Sequence, residues 1–226
     1  MSRDSGAGAY SKADGTGERS WCFSTSLTSR PNGTVGLVLR RLRRNRRRFV
    51  LELPPRGSVC AEIGVWAGDF SAEILKVARP AKLHLVDPWA FMEGEAYAES
   101  RYGGKVAADQ EAMDELYAGV VRRFAEPIAA GVVEVHRCPS GEAAGRFPDA
   151  SFDWIYVDGN HLYEYIRADL ERYDPKVKPG GLIAGDDYGV RGWWDDGVTR
   201  AVDEFVEARG YEVVSLDASQ FVLRKT

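Results

Sequence analysis

The stretch Val59-Cys60-Ala61-Glu62-Ile63-Gly64-Val65-Trp66-Ala67-Gly68-Asp69-Phe70 decides how this chain folds. Val59 to Ile63 is a short apolar run of strand type, Gly64 to Gly68 a turn, and Phe70 to Ala78 returns apolar residues at helical spacing. Strand, glycine turn and helix make half of a βαβ unit, and parallel strands joined in this way have helices on the sheet faces. Glycines at such a turn let backbone approach a ligand, and the helix start behind them favours anionic groups. The dinucleotide fingerprint G-x-G-x-x-G is not met, because Gly64 and Gly68 are separated by three residues, and no G-K-[ST] follows for a phosphate loop. Glu62, ahead of the first glycine, suits a ligand carrying an amine better than a pyrophosphate. The competing reading is an ordinary strand-to-helix turn.

The alternation continues downstream. Lys82 to Val86 reads as a second strand ending at Asp87-Pro88, followed by a polar loop to about Val106 and a helix from Ala108 to Phe124 or beyond. Val132 to His136 and Phe152 to Val157 are a third and a fourth strand. His161 to Tyr173 is a helix with Leu162, Tyr165, Ile166, Leu170 and Tyr173 on one face. Pro179-Gly180-Gly181 turns into a fifth strand, Leu182 to Gly185, and Val198 to Ala208 is a last helix. Residues 211–216 and 220–223 close the chain as a hairpin. The expected fold is α/β: a Rossmann-like, doubly wound, mostly parallel seven-stranded sheet with helices on both faces and an antiparallel closing hairpin.

Upstream the character changes. Residues 1–32 are expected to be largely disordered or lid-forming, 33–56 an Arg-rich helical extension, and 57–226 the catalytic domain. The formal net charge of -4 hides this division. Residues 1–50 hold 11 Lys/Arg and 3 Asp/Glu, a net of +8, whereas 51–226 hold 19 and 31, a net of -12. Seven of the nine residues Arg40 to Arg48 are arginine. No apolar run approaches the ~18 residues needed to span a bilayer, which argues against integral membrane association. Residues 1–20 contain no apolar block of signal type, and Cys22, Cys60 and Cys138 form no C-x-x-C pair. A cytoplasmic location is expected.

Ligands on doubly wound sheets bind beyond the carboxyl ends of the strands. Asp87 closes the second strand 23 residues beyond Gly64, where such folds place a carboxylate on ribose hydroxyls; the alternative is a turn cap before Pro88. Asp158-Gly159-Asn160-His161 follows strand four and Asp186-Asp187-Tyr188 follows strand five. Three carboxylates at one sheet edge repel one another, and a hard divalent cation (Mg²⁺, Mn²⁺ or Ca²⁺) is the usual compensation. The bland alternative has Asp158 capping a helix and Asp186 and Asp187 solvated. His84 and His136 lie inside strands, where packing is the expected role.

These residues resemble class I S-adenosylmethionine-dependent methyltransferases: Glu62-Ile63-Gly64-x-x-x-Gly68 is similar to the first cofactor motif, and Asp87 to the ribose-binding acid. Phe152-Asp153-x-Ile155-x-Val157-Asp158-Gly159-x-His161-x-Tyr163, with Asp169-Leu170, Lys178-Pro179-Gly180-Gly181 and Asp186-Asp187, resembles a narrower subgroup, the metal-dependent sugar O-methyltransferases of macrolides, aminocoumarins and bacterial saccharides. The similarity covers about residues 57–224. It implies S-adenosylmethionine held by Glu62, Gly64, Gly68 and Asp87, with Trp89 packing on it and Ser140 near its adenine. It also implies Mg²⁺ (or Mn²⁺) on Asp158, Asp186 and Asp187, with Asp158 and His161 as the catalytic pair. His161 matches the general base; some relatives use an Asp at the position of Asn160, which cannot usefully accept a proton. Phe70 stands where catechol-type relatives have a serine for the methionine carboxylate.

The expected function is methyl transfer from S-adenosylmethionine to a sugar hydroxyl of a saccharide or glycosylated metabolite. Two alternatives remain: a catechol-like small-molecule O-methyltransferase using the same metal, and a nucleic-acid-binding protein on the same fold. The expected partner is a small-molecule or oligosaccharide acceptor. Trp89, Phe91, Tyr97 and Tyr102 in the 89–104 loop read as a lid or acceptor wall, and Tyr188, Arg191, Trp193 and Trp194 as a sugar-stacking surface. Domain packing or a homo-oligomer interface is the alternative for these aromatics. The arginine run suits an anionic partner or, more simply, a solvated helix face or a contact with the acidic body of a second subunit. Without an RNA-binding motif or interleaved aromatics, nucleic acid is disfavoured.

Overall fold

Alternating strand and helix patterns become one sheet between two apolar layers in the computed structural model, which describes residues 47–94, 97–102 and 107–226. The strands are β1 (Val59–Ile63), β2 (Lys82–Asp87), β3 (Val133–Arg137), β4 (Phe152–Val157), β5 (Val177–Gly185), β6 (Glu212–Asp217) and β7 (Gln220–Arg224). Helices are α1 (47–52), α2 (Asp69–Val77), α3 (Gln110–Arg123), α4 (Ala125–Ala129), α5 (Ser140–Arg146), α6 (Tyr163–Tyr173) and α7 (Gly197–Arg209). The sheet order is β3-β2-β1-β4-β5-β7-β6. β1 to β5 pair in parallel, and β7 runs antiparallel to both β5 and β6. The seven-stranded, mostly parallel sheet with its closing hairpin is the fold expected from the sequence.

Both faces of the sheet are apolar, so each must be covered. One layer packs Ala143, Ile166, Leu170, Val198, Val202 and Phe205 of α5, α6 and α7 against Ile63, Ile155, Val157 and Ile183. The other packs Val50, Leu51, Ile74, Met113, Val120 and Phe124 against Cys60, Leu83, Leu85, Trp154 and Tyr156. Cys60 is a small, fully buried core residue. Residues 1–32 and the upstream part of the arginine run lie outside the described residues; α1 is what is seen of the 33–56 extension.

Three local expectations shift. Pro179-Gly180-Gly181 lies within β5: the register passes from Phe152↔Val177 to Trp154↔Leu182, so residues 178–181 form a bulge, with Gly180 at φ +75°. Tyr165 is exposed, and Asp169 joins Ile166, Leu170 and Tyr173 on the buried face of α6. That helix starts at Tyr163 rather than His161, because the Asn160 side chain accepts a hydrogen bond from Leu162 N (3.1 Å) and closes a turn ahead of it.

The topology reverses between β1 and β4, and this fixes where a ligand fits. Ile63 pairs with Val157, and Val157 with Gly185, so β1, β4 and β5 end level. Asp158 N donates to Ile63 O (2.8 Å), and Asp186 N to Val157 O (3.3 Å). Gly64, Asp158 and Asp186 therefore share one edge.

Candidate active site

Gly64 and Gly68 are required by the protein's own packing. A Cβ on Gly64 would stand 2.2 Å from the Asp158 carbonyl oxygen, and the residue has φ +91°. Gly68, at φ +74°, would bring a Cβ within 2.6 Å of the Phe124 ring. Only glycine meets both demands. Trp66, Trp89 and Asp187, at φ 55°, 42° and 62°, are non-glycine residues in the left-handed region, all beyond strand ends. Such conformations cost of order 1–3 kcal/mol each and gather where the surrounding structure holds a site in shape.

The acidic cluster forms as its spacing suggested, with one difference. Asp158, His161 and Asp187 bring ligand atoms within 4.8 Å of one another. His161 Nε2 lies 2.8 Å from Asp187 Oδ2 and 3.5 Å from Asp158 Oδ1. Neither approach has hydrogen-bond direction, so Nε2 is buried without a hydrogen bond among the described residues. Asp186 stands apart from this trio: its Oδ1 accepts from Gln220 Nε2 and its Oδ2 meets Arg47 Nη2. Arg47 Nη1 donates to Asp158 Oδ2 at 2.8 Å. Gln220 in turn accepts from the Tyr156 hydroxyl (2.5 Å), which ties the cluster into the core.

Charges in this cluster hold one another. Burial works against ionised Asp158, yet Arg47 and His161 outweigh it and hold its carboxyl at about 2. Burial likewise pulls His161 down, but Asp158 and Asp187 overcome it and push the imidazole up to about 9. His161 is thus an imidazolium at neutral pH while the carboxylates lack another cation. Two hard carboxylates beside an imidazole nitrogen with no hydrogen bond, with Asp186 adjoining through Arg47, fit a small divalent cation.

The β1 and β2 ends form the neighbouring half of the site. Glu62 is fully buried and accepts a hydrogen bond from Ser71 Oγ; burial raises its carboxyl to about 8 despite that bond. Asp87 Oδ2 accepts from Val65 N (2.9 Å), Trp66 N (3.0 Å) and the Tyr102 hydroxyl (2.5 Å). Oδ1 accepts from Trp89 N (2.7 Å). Each carboxylate oxygen carries two lone pairs, and Oδ1 accepts a single bond among the described residues, so it has room for another donor. The Trp89 indole is wholly buried and donates to Trp66 O (2.9 Å), so this residue meets Asp87 through its backbone. Ser140, at the start of α5, donates to Asp169 Oδ1 (2.5 Å).

Aromatic side chains flank the cluster. Trp194 lies 4.6 Å from the His161 ring, Trp193 packs edge-on against Trp194, and Tyr97 packs edge-on against Trp193 at 5.6 Å. Asn160 Nδ2 donates to the Tyr97 hydroxyl (3.1 Å), which fastens the 89–102 loop beside His161. Trp194 Nε1 is buried with no hydrogen-bond partner among the described residues. A second group of metal-ligand type, His84, Glu134 and His136, satisfies itself. Its histidines are 2.9 Å apart and Lys82 pairs with Glu134 at 2.8 Å. The rings of His84 and His136 pack on Phe147, the structural role expected of them.

Sequence reasoning missed Arg47 and Gln220, and read Tyr102 as part of a lid or acceptor wall rather than as a partner of Asp87. Arg47 carried a usable signal: Val50 and Leu51 follow it at the i+3 and i+4 spacing of a buried helix face. Gln220 and Tyr102 reach the site through long-range contacts that no local pattern announces.

A family profile described as a methyltransferase domain matches residues 61–188, more than half of the chain. Among solved structures, a Corynebacterium glutamicum protein superposes with TM-score 0.54 at 17% identity, covering 88% of this chain and 83% of that one. A putative caffeoyl-CoA O-methyltransferase from Staphylococcus aureus gives TM-score 0.52 at 15% identity over 89% and 86%. A putative rRNA-methylase from Clostridium thermocellum gives 0.54 at 10% over 83% and 96%. At such identities these likenesses concern the fold. A stretch of 50 residues is 38% identical to y4gI, an uncharacterised protein of Sinorhizobium fredii; it spans 22% of this chain and only 6% of that protein.

Proposed function

The chain belongs to the class I S-adenosylmethionine-dependent methyltransferases, and from that premise we propose that it is a Mg²⁺-dependent O-methyltransferase acting on a sugar hydroxyl. The observation that carries the reading is the pairing of a buried His161 Nε2, without a hydrogen bond, with Asp158 and Asp187 at the carboxyl ends of β4 and β5. S-adenosylmethionine supplies an electrophilic methyl group on a sulfonium. Asp158 and Asp187, with Asp186 beside them, would hold Mg²⁺ or Mn²⁺, whose chemistry there would be that of a Lewis acid for the acceptor hydroxyl.

The chain's own residues do the remaining work. Glu62 offers a buried carboxyl that the cofactor's ammonium would draw into its ionised form, and Asp87 Oδ1 accepts from a ribose hydroxyl. Gly64 and Gly68 let the β1–α2 turn pack closely on the Asp158 backbone and the Phe124 ring, and Ser140 stands at the β3 end for the adenine. His161 loses the reason to keep its proton once the neighbouring carboxylates are compensated, and Nε2 then accepts the proton of the acceptor hydroxyl. Asn160 stays with Tyr97 and takes no proton. Trp193, Trp194 and Tyr97 wall the acceptor, and the unpartnered Trp194 Nε1 is a donor for a sugar oxygen.

Aromatic walls also suit a phenol, so a catechol-type acceptor is the second reading. The test measures S-adenosylhomocysteine release over a panel of mono- and oligosaccharides, catechols and RNA. Turnover with saccharides supports the proposal; turnover with catechols or RNA alone overturns the sugar assignment.

A further inference from the structure

Arg47 occupies an unusual place for a residue in a solvated arginine run. Val50 and Leu51, one turn further along α1, are each 1% exposed and packed in the core layer with Ile74 and Trp154. The same helix face delivers Arg47 to the sheet edge, while Arg48 pairs with Glu52 on the outer face (3.0 Å). The Arg47 guanidinium lies over the rings of Phe70 (5.3 Å) and Tyr156 (5.8 Å). Its two terminal nitrogens divide between Asp158 Oδ2 and Asp186 Oδ2. A planar fork matches two carboxylates in this way.

These are two of the three carboxylates assigned above to the metal. The guanidinium supplies one positive charge where a divalent cation would supply two, and both would draw on the same carboxyl groups. We propose that Arg47 is the resident counter-cation of the site, displaced from Asp158 and Asp186 when a divalent cation binds. Metal occupancy is then coupled to the seating of α1, whose polar anchor at the sheet edge is this fork. The inference rests on the metal-dependent reading. It assigns a site role to a residue otherwise read as a surface charge.

Mn²⁺ serves as the probe, its free fraction read by electron paramagnetic resonance, with full-length protein stripped by chelator. Replacing a competing charge-assisted pair with a shorter, uncharged chain, Arg47→Met, is expected to tighten Mn²⁺ binding about tenfold. Arg47→Lys keeps the charge but not the fork, and is expected to fall between the two. Hydrogen exchange of the 47–56 segment provides a second reading that does not depend on activity. Mn²⁺ should speed exchange there in the natural protein and leave Arg47→Met unchanged. Equal Mn²⁺ affinity in all three proteins, with no exchange response, overturns the role of Arg47 and leaves the metal reading standing. Absence of Mn²⁺ binding in all three removes the metal reading and this inference together.

Discussion

His161 Nε2 lies 2.8 Å from Asp187 Oδ2 without hydrogen bonding to it. No hydrogen bond among the described residues has to break before Nε2 meets a third group, which suits a base. His161→Gln keeps much of the shape and removes the basicity. Turnover should fall about 10²–10⁴-fold, the usual contribution of a positioned base, while S-adenosylhomocysteine affinity by calorimetry changes little. An unchanged rate would remove His161 as the base.

Asp158 and Asp187 should fail differently from His161. Asp158→Asn keeps the hydrogen-bonding shape and removes a charge. It is expected to abolish Mn²⁺ binding along with activity, and excess Mg²⁺ should not rescue it. Rescue by Mg²⁺ would place the metal elsewhere.

Gly64→Ala separates steric from conformational demands. Its Cβ would meet Asp158 backbone at 2.2 Å, at a φ that L-residues avoid. The left-handed conformation costs ~1–2 kcal/mol and forced packing a further ~1–3 kcal/mol. Gly189→Ala, at φ +74° with nothing within 4 Å, should incur only the first cost. Denaturant midpoints that lie together for the two variants would mean that β1 and β4 do not approach as described.

Glu62 gives a pH signature with a definite sign. Its carboxyl rises from an ordinary value of 4.5 to about 8 in the folded chain because it is buried. The native state therefore holds a proton that the unfolded state releases, and stability from this group declines as pH rises from about 4.5 through 8. Glu62→Gln should flatten that part of the stability–pH curve. It should also weaken S-adenosylhomocysteine binding, since an amide cannot ionise to pair with the ligand's ammonium. A curve unchanged by the substitution would place Glu62 in contact with solvent.

Trp193 tests the acceptor wall. Trp193→Ala is expected to raise the acceptor KM several-fold and to leave cofactor affinity intact. A loss of cofactor affinity instead would put Trp193 on the other side of the cleft.

Much of this architecture was legible because strands and turns are local. Short apolar runs ending in Gly64, Asp87, Asp158 and Asp186 mark strand ends, and one sheet order places all four side by side. What local pattern cannot carry is the partner of each group. The arginine run reads as a solvated face because seven arginines look alike, and which of them turns inward depends on how α1 docks. Tyr102 on Asp87 and Gln220 on Asp186 are separated from their partners by 15 and 34 residues. The Lys178–Gly181 bulge was read as a turn because Pro-Gly-Gly favours φ angles common to both.

The central claim is that methyl transfer to a hydroxyl depends on a divalent cation at the Asp158–Asp187 cluster. The most direct measurement strips the protein with chelator, supplies S-adenosylmethionine and an acceptor found by the panel, and follows O-methylated product by mass spectrometry as Mg²⁺ is returned. The account predicts no product without metal and full recovery with it. Full turnover in excess chelator would contradict it.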